Sequence, residues 1–439
     1  MNVREINQAL WQGETGLPGI LPHLDQLAHA PFVYQMEFGL GELPREPGLI
    51  QIRGARQYGK STWLESQIKI TIEEYGPGSA LYLNGDELQD ASDLMERVRE
   101  LMPLFSSSAA VRRLFIDEVT AVREWQRGLK RLIDAGELRD VLVVTTGSRA
   151  ADLRHGSERL PGRKGRLERT AYLFTPVSYS AFREACGSRL GQDGLVAYLL
   201  SGGSPVALNE LATTGRLPQY VLEMVRDWVV GEFAASGRQR GALLAVMECL
   251  LRHGGSPLGQ ARLAREAGLA NNTVAAGYLE LLMDLMCIAT ARAWDEVHRV
   301  TLARRPAKFP VTNLLAAVAW HPSHPRSPAE FRALPADEQG KWLEWLVAQE
   351  LWRNAAIRGD DSPEAMAYWQ SKTHEIDFVL SADWLLEVKR RRVTPLEFAW
   401  FRGCFPRSRL TVIAANAFET ERIRAMSLEQ FLLKGLEPG

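Results

Sequence analysis

The chain has 439 residues, more than one ordinary hydrophobic core holds, so its length predicts two or three domains. With 46% hydrophobic and 24% charged residues, the composition is that of a globular protein rather than a disordered one. The formal net charge of −1 excludes a whole-protein attraction to nucleic acid. Any binding of DNA must therefore depend on local basic patches.

The cysteines and the apolar segments indicate a cytoplasmic protein. Cys186, Cys249, Cys287 and Cys404 are scattered and fit no metal-binding spacing, so we interpret them as reduced thiols. The first residues, MNVREINQALWQ, lack the apolar core of a signal peptide. Since no run of about eighteen apolar residues occurs, we expect no membrane partner.

The strongest motif is GARQYGKST, residues 54–62, which fits the phosphate-loop pattern G-x-x-x-x-G-K-[ST]. Its glycines permit a tight turn in which successive N–H groups converge on phosphate oxygens. Lys60 would contact the β- and γ-phosphates of ATP, and Ser61 would hold Mg²⁺. The bland alternative is a Gly-rich surface turn. The residues predicted to bind ATP here are Gly54, Ala55, Arg56, Gln57, Tyr58, Gly59, Lys60, Ser61 and Thr62.

The residues around this loop provide the context that the motif requires. GLIQIR before it is typical of a strand, and the apolar spacing from Trp63 onward is typical of a helix, whose N-terminus attracts anions. Further strands are predicted at SALYLNGDE, RRLFIDEV and DVLVVTTGS, with helices between them. This alternation predicts an α/β fold with a parallel sheet and a ligand at the carboxyl ends of its strands.

Polar residues follow two of these predicted strands. Asp117 would enter the Mg²⁺ shell, and Glu118 would polarise the water that attacks the γ-phosphate. Thr146 and Ser148 would sense the γ-phosphate or orient that water, unless they only cap a helix or turn.

A basic, Gly-rich segment, RLPGRKGRLER, follows at residues 159–169. Arg163, which we favour, or Arg166 would neutralise γ-phosphate charge in the same subunit or in a neighbouring copy of a homo-oligomer. The alternative is a solvated loop. Residues 178–239 are predicted to be mostly helical and to form a lid.

Residues 240–325 predict a winged helix, in which two short helices are followed by a strand pair. Leu263 and Ala264 give the first helix an apolar face, Gly268 supplies the turn, and Asn271 or Asn272 caps the second helix. In DNA-binding versions that second helix enters the major groove. Since it is short of Lys and Arg here, a structural or protein-docking winged helix is an equal alternative.

A local basic patch ends this region. It consists of Arg304, Arg305 and Lys308, which we expect to face phosphates or solvent. A second basic run, Arg390, Arg391 and Arg392, follows the strand WLLEVK and would meet a phosphate backbone.

Residues 326–439 hold acidic residues and a lysine in the pattern of a nuclease. The predicted helix GKWLEWLVAQEL carries Glu344, and Asp377 precedes the predicted strand FVL. Glu387 and Lys389 lie one residue apart on WLLEVK, so period-two alternation points both to one face. Asp377 and Glu387 would bind Mg²⁺ or Mn²⁺, and Glu344 would complete the shell. Lys389 would position or deprotonate the attacking water.

The alternative for this region is an exposed hairpin with ordinary surface charges. Against it, an acid within an apolar strand is costly unless it has a function.

The order of these motifs resembles that of a prokaryotic, archaeal-type AAA ATPase family, and the motifs concerned are GARQYGKST, LYLNGDE, LFIDEV, VTTGS, LPGRKG, FTPVSY and GGSPVAL. The resemblance covers most of the chain and implies a P-loop AAA-type sheet with a helical lid, followed by a winged helix and a restriction-endonuclease-like α/β domain. It further implies a C-terminal ExD…ExK signature, which matches Glu344, Glu375, Asp377, Glu387 and Lys389.

One position departs from this family. Its winged-helix segment usually ends in a Lys-aromatic stretch closed by an aspartate, whereas KFPVTN in this chain ends in Asn313. A negative charge is therefore not expected at that position.

We predict the following boundaries: an N-terminal helical segment at 1–47, the P-loop ATPase core at 48–177, the lid at 178–239, the winged helix at 240–325 and the PD-(D/E)xK nuclease-like domain at 326–439. The leading hypothesis is ATP hydrolysis coupled to DNA binding and to Mg²⁺- or Mn²⁺-dependent DNA cleavage. Family analogy alone suggests genome defence or mobile-element biology. The second hypothesis is an ATP-gated switch that binds DNA or protein without cutting. A small-molecule kinase is disfavoured, because it has no use for the C-terminal regions.

Overall fold

The protein is represented by a computed structural model, which describes residues 2–148, 166–360 and 362–435. The chain divides into two compact units, of which the first comprises Met1–Val33, Glu37–Thr175 and Ala356–Gly359 and the second comprises Tyr34–Met36, Pro176–Ala355 and Asp360–Gly439. Among the helices in the described ranges, none has the length and apolar character needed to cross a membrane.

The first unit is a parallel α/β sheet, as the alternating pattern predicted. The strands described in it form one sheet in the order β2-β3-β4-β1-β5. Every residue of β3 and β4 is buried, as expected for parallel strands covered on both faces. The elements are α1 (Val3–Gln12), α2 (Pro22–Ala28), β1 (Gly48–Gly54), α3 (Lys60–Tyr75), β2 (Ala80–Asn84), α4 (Ala91–Leu101), β3 (Arg113–Asp117), α5 (Trp125–Asp134), β4 (Leu142–Gly147) and β5 (Ala171–Phe174).

Helices α4 and α5 build a hydrophobic core against this sheet. Leu94 of α4 and Trp125 and Leu129 of α5 pack in one buried cluster with Leu114 and Ile116 of β3. Burying side chains of this size contributes about 1.5–3 kcal/mol each. The core therefore fixes β3, and with it the position of the acidic residues at its carboxyl end.

The N-terminal helix α1 closes an edge of the sheet. The Asn7 side chain is fully buried, and its amide donates a hydrogen bond to the Tyr82 carbonyl (2.7 Å) while its oxygen accepts one from the Tyr82 N–H (2.8 Å). Asn7 thus satisfies backbone groups of the edge strand β2 in the way that a further strand would. An edge covered in this way is unavailable for pairing with another chain.

The second unit begins with helices in the region predicted as a lid and continues into the predicted winged helix. Its helices within the described ranges are α6 (Tyr179–Leu190), α7 (Gly194–Ser201), α8 (Pro205–Thr214), α9 (Gln219–Ala235), α10 (Arg240–Arg252), α11 (Gln260–Glu266), α12 (Asn272–Asp284), α13 (Leu314–Trp320), α14 (Pro328–Arg332), α15 (Ala336–Arg358), α16 (Phe401–Cys404) and α17 (Leu428–Lys434). The predicted turn between α11 and α12 is present, with Gly268 at a φ of +65° and the Asn271 side chain accepting from the Val274 N–H (3.0 Å).

Two sheets follow in the second unit. In the described part of the chain their orders are β7-β6-β8-β9 and β10-β11-β12-β14-β13. β6 pairs antiparallel with β7 and parallel with β8, so a strand of the predicted winged helix shares a sheet with the predicted nuclease-like region. The strands are β6 (Thr290–Asp295), β7 (Val300–Leu302), β8 (Ala365–Gln370), β9 (Glu375–Ile376), β10 (Phe378–Ser381), β11 (Trp384–Val388), β12 (Arg409–Ile413), β13 (Phe418–Glu419) and β14 (Ile423–Met426).

The edge contact of α1 yields a stability prediction. Asn7→Ala removes both hydrogen bonds to Tyr82 and the one that the Asn7 amide donates to the Val3 carbonyl (2.8 Å). It leaves the partly buried Tyr82 backbone groups without these partners, at a cost of about 1–3 kcal/mol. We expect a lower unfolding temperature of the first unit and faster hydrogen–deuterium exchange of the Tyr82 amide. Gln8→Ala, on the same helix but exposed, is the matched control and should change neither. Unchanged exchange at Tyr82 in the Asn7 variant would contradict this explanation.

Candidate functional site

The predicted phosphate loop connects the carboxyl end of β1 to the N-terminus of α3. Gly59 precedes α3 with a φ of +99°, and no side chain caps the helix N-terminus, which leaves its N–H groups free for an anion. A Cβ on Gly54 would lie 2.7 Å from the Cβ of Phe174, so only glycine fits there. The loop is thus a narrow cradle of backbone donors, and its residues fit a nucleotide phosphate.

Lys60 lies at the centre of this loop. Its side chain is buried, and its ammonium donates hydrogen bonds to the carbonyls of Gly54 (3.0 Å) and Ala55 (2.9 Å). Burial lowers the pKa of Lys60, while the nearby carboxylates of Glu118 and Asp117 oppose that change. A phosphate would supply the negative charge that these carbonyls replace only in part.

Asp117 is the last residue of β3 and Glu118 follows it, at the same carboxyl-end edge of the sheet as the phosphate loop. The Thr146 hydroxyl donates a hydrogen bond to the Asp117 carboxylate, and the Glu118 N–H donates to Asp117 Oδ1 (3.1 Å) and to Thr146 Oγ1 (3.2 Å). The hydroxyl of Thr146 is therefore committed to Asp117. We predicted that Thr146 would sense the γ-phosphate or orient the attacking water, unless it only capped a helix or turn. That role stays a prediction, and its contact with Asp117 orients the predicted magnesium ligand.

Glu118 is held by Ser148. Its Oε2 accepts hydrogen bonds from the N–H and from the hydroxyl of Ser148, both at 3.0 Å. Glu118 has a φ of +45°, a backbone conformation that non-glycine residues adopt at a cost of about 1–3 kcal/mol and that occurs often at active sites. Gly85 permits this arrangement, because a Cβ there would lie 2.3 Å from the Glu118 carbonyl oxygen. Gly85 lies in the motif LYLNGDE, but the motif alone did not show why a glycine is needed there. The need arises from the close approach of Glu118, which follows β3, to Gly85, which follows β2.

Of the two arginines predicted to contact the γ-phosphate, the structure describes one. Arg163 lies outside the described residues. Arg166 is exposed in a turn, so it stays a candidate for contact with a phosphate.

The acidic residues predicted in the C-terminal region come together in the second unit. We call Glu344, Glu375, Asp377 and Glu387 the acidic cluster. Asp377 Oδ2 accepts from the Val388 N–H (2.8 Å), and Glu387 Oε2 accepts from the Asp377 N–H (3.2 Å), so the two carboxylates are fixed across neighbouring strands. Lys389 forms an ion pair with Glu387.

The buried position of Lys308 contradicts our interpretation of the sequence. We expected it to face phosphates or solvent beside Arg304 and Arg305, and those two arginines are indeed exposed. Lys308 is only 2% exposed. Its ammonium forms ion pairs with Glu375, with Asp377 Oδ1 (3.5 Å) and with Glu344 Oε1 (3.8 Å). The Lys308 ammonium can be buried because the carboxylates of the acidic cluster, which are distant in sequence, compensate the cost of burying its charge.

The electrostatics of the cluster follow from burial and crowding. Burial first and the Asp377 carboxylate second raise the pKa of both Glu344 and Glu387. The carboxylates of Glu344, Asp377 and Glu375 raise the pKa of Lys308 although burial opposes this. The oxygen ligands suit Mg²⁺ or Mn²⁺ by type, but an ammonium already lies among them, so the residues as arranged do not fit a divalent ion.

The Asn313 side chain and a group of three possible metal ligands have structural explanations. Asn313 caps α13 by accepting a hydrogen bond from the Ala316 N–H (3.1 Å), and asparagine serves this purpose as well as aspartate. Cys249, His253 and Glu266 bring ligand atoms within 4.8 Å of one another, which their spacing in the sequence did not indicate. Arg262 binds Glu266 through Nε (2.6 Å), so ion pairing explains this carboxylate.

The contact of Thr146 with Asp117 yields a prediction about ATP turnover. Thr146→Val removes a hydrogen bond to a carboxylate, worth about 1.5–3 kcal/mol, so kcat/KM for Mg²⁺·ATP should fall about 10- to 100-fold. Thr145→Val is the matched control, because the Thr145 hydroxyl donates to the Ile50 carbonyl (3.3 Å) and not to the site. Steady-state hydrolysis with unfolding curves for both variants checks this. Equal losses in the two variants would refute a specific contribution of Thr146.

Comparisons with known proteins bear on the first unit. Residues 46–182 match the sequence model of a family described as AAA domain. No curated protein sequence matches the chain.

Several solved structures are similar to part of the chain. The Walker-type ATPase PABY2304 of Pyrococcus abyssi has 14% identity and a TM-score of 0.41, over 68% of this chain and 94% of that one. The Orc1 protein of Aeropyrum pernix in complex with DNA has 15% identity and a TM-score of 0.34, over 72% and 95%. A RuvB variant of Thermotoga maritima has 15% identity and a TM-score of 0.32, over 58% and 85%.

The assignment of residues 46–182 depends on the family match and on the phosphate loop. The match spans β1 through β5 and includes the phosphate loop and the acidic residues after β3. Together, the family match, the parallel sheet and the phosphate loop identify residues 46–182 as an AAA-type P-loop domain.

Proposed function

We propose that this protein is an AAA-type ATPase that hydrolyses ATP with Mg²⁺ in its first unit and binds DNA through its second unit. The observation that carries the ATPase proposal is the convergence of Lys60, Asp117 and Glu118 at one edge of the parallel sheet, beside an uncapped helix N-terminus. This set supplies phosphate donors, a metal ligand and a base in one place.

Each residue has a task in this proposal. Bound Mg²⁺·ATP supplies a γ-phosphoryl group that is open to attack by water. Lys60 leaves the carbonyls of Gly54 and Ala55 to neutralise phosphate charge. Asp117, oriented by Thr146, and Ser61 hold the metal ion. Glu118 orients the attacking water and accepts its proton after exchanging the hydrogen bonds of Ser148 for that water.

The proposed DNA binding depends on exposed arginines of the second unit. Arg304, Arg305, Arg390 and Arg392 are all exposed, and such side chains contact phosphates without reading sequence. Arg391 is a weaker candidate, because it forms an ion pair with Glu397. A homo-oligomer in which Arg166 approaches the nucleotide of a neighbouring copy belongs to the same proposal.

The second candidate function is Mg²⁺- or Mn²⁺-dependent DNA cleavage by the nuclease-like region. The juxtaposition of Asp377, Glu387 and Lys389 favours it. The ammonium of Lys308 within the acidic cluster counts against it. We therefore rank binding without cleavage above cleavage.

The ATPase proposal predicts two separate losses. Lys60→Ala should abolish turnover and weaken ATP binding, because the phosphates lose their cation. Glu118→Gln should retain ATP and lower kcat about 10²- to 10⁴-fold, because an amide cannot accept the proton of water. A hydrolysis assay and a fluorescent-nucleotide binding assay measure the two effects.

The controls are Lys69→Ala and Glu73→Gln, both exposed on α3, which should behave as the unchanged protein. Persistent hydrolysis by the Lys60 variant would remove the phosphate-loop assignment. Normal hydrolysis by the Glu118 variant would remove only the proposed base.

The DNA-binding proposal predicts a salt-dependent change. Arg390→Ala and Arg392→Ala should each weaken DNA binding and reduce the slope of log K against log salt by about one. Arg407→Ala, exposed in the same unit, should change neither value. Fluorescence anisotropy with duplex DNA at several salt concentrations measures this.

The same DNA, incubated with Mg²⁺ or Mn²⁺ with and without ATP, tests cleavage. Nicking that Asp377→Ala and Lys389→Ala both abolish would establish the second candidate. If the unchanged protein binds DNA and leaves it intact, the result supports the proposal of DNA binding without cleavage.

A further inference from the structure

We propose that the Lys308 ammonium is a built-in cation of the acidic cluster, which takes the position of a divalent metal ion and keeps such ions out of the nuclease-like region. The proposal goes beyond ATP hydrolysis and DNA binding and requires neither. It assigns Lys308 a function that its surroundings in the sequence, a basic patch, did not indicate.

The position of the Lys308 ammonium supports this proposal. Lys308 Nζ lies between carboxylates from three elements, with Glu344 on α15, Glu375 on β9 and Asp377 between β9 and β10. Hard metal ions need oxygen ligands at about 2.0–2.6 Å. The ammonium lies 3.5 Å from Asp377 Oδ1 and 3.8 Å from Glu344 Oε1, which is less than two such bond lengths, so no ion fits between the ammonium and these two oxygens.

The protein holds Lys308 in place from several sides. Its backbone exchanges two hydrogen bonds with Ala291 of β6, both at 2.9 Å. Its ammonium lies 5.3 Å from the centre of the Tyr368 ring, and the Tyr368 hydroxyl donates to the Pro306 carbonyl (2.9 Å). The Lys308 backbone is therefore fixed on β6, and its ammonium cannot leave the cluster without losing the three carboxylates and the Tyr368 ring.

Each carboxylate of the acidic cluster has a lysine ammonium near it. Glu344, Glu375 and Asp377 lie around Lys308, and Glu387 pairs with Lys389. An ammonium buried to this extent is stable only when it is paired. A metal ion entering beside Lys308 would meet strong repulsion at short range in a medium of low dielectric constant.

The predicted consequence concerns ion binding rather than catalysis. The unchanged protein should have no Mn²⁺ site that depends on Asp377. Lys308→Met removes the charge, keeps the apolar stem, and leaves Glu344, Asp377 and Glu387 available as hard oxygen ligands. This variant should gain an Asp377-dependent Mn²⁺ site, with an apparent Mn²⁺ affinity at least about tenfold higher than that of the same variant carrying Asp377→Asn.

The experiment uses the full chain without nucleotide and Mn²⁺ alone as the probe. Mn²⁺ binding is measured by electron paramagnetic resonance and titration calorimetry for the unchanged protein, Lys308→Met, and each of these combined with Asp377→Asn. Weak binding at the phosphate loop is common to all four proteins, so only the part removed by Asp377→Asn is counted. Lys308→Arg, which keeps the charge, should gain no site.

Thermal unfolding provides a second readout. Lys308→Met should unfold at a lower temperature than the unchanged protein, and Mn²⁺ should restore that temperature only while Asp377 is intact. If this variant does not fold, Lys308→Met combined with Glu375→Gln removes one charge of each sign and takes its place in both measurements.

Asp377-dependent Mn²⁺ binding by the unchanged protein would overturn the proposal. A folded Lys308→Met variant, or its combination with Glu375→Gln, that gains no such binding would also overturn it. Neither readout involves ATP turnover or DNA, so a failure here is distinguishable from a failure of the proposed function.

Discussion

The parallel pairing of β3 with β4 and of β4 with β1 is the constraint on which the candidate ATPase site depends. The register aligns Ile52 of β1 with Thr146 of β4, so the carboxyl ends of these strands lie side by side. The loop that holds Lys60 and the acidic residues after β3 thereby share one edge of the sheet. Because this pairing is backbone hydrogen bonding within a buried sheet, it holds the side chains more rigidly than loops alone would.

Two buried lysines illustrate how a protein accommodates a charge. Lys60 binds neutral carbonyls of its own loop, and burial lowers its pKa. Lys308 is surrounded by carboxylates, and its pKa is raised. The first arrangement can accept a phosphate, whereas in the second the charge of the lysine is already compensated.

Most of the first unit could be predicted from the sequence, and much of the second unit could not. The strand at β1, the loop and α3 follow from short patterns, and the Asp-Glu pair after β3 lies where the apolar run ends. In the second unit the turn at Gly268 and the cap at Asn271 were also predictable, because both are local. The sharing of a sheet between β6 and β8 was not, since it joins residues about 75 positions apart.

The sequence by itself determined the residue types that local chemistry requires: glycines in a tight phosphate loop, a lysine within it, and acids at the ends of apolar strands. Tertiary structure alone decided the partners of those residues. Ser148 binds Glu118, Asn7 closes the sheet at Tyr82, and Lys308 enters the acidic cluster. The physical reason is that burial and charge compensation depend on which elements meet in space, and sequence spacing does not specify such meetings.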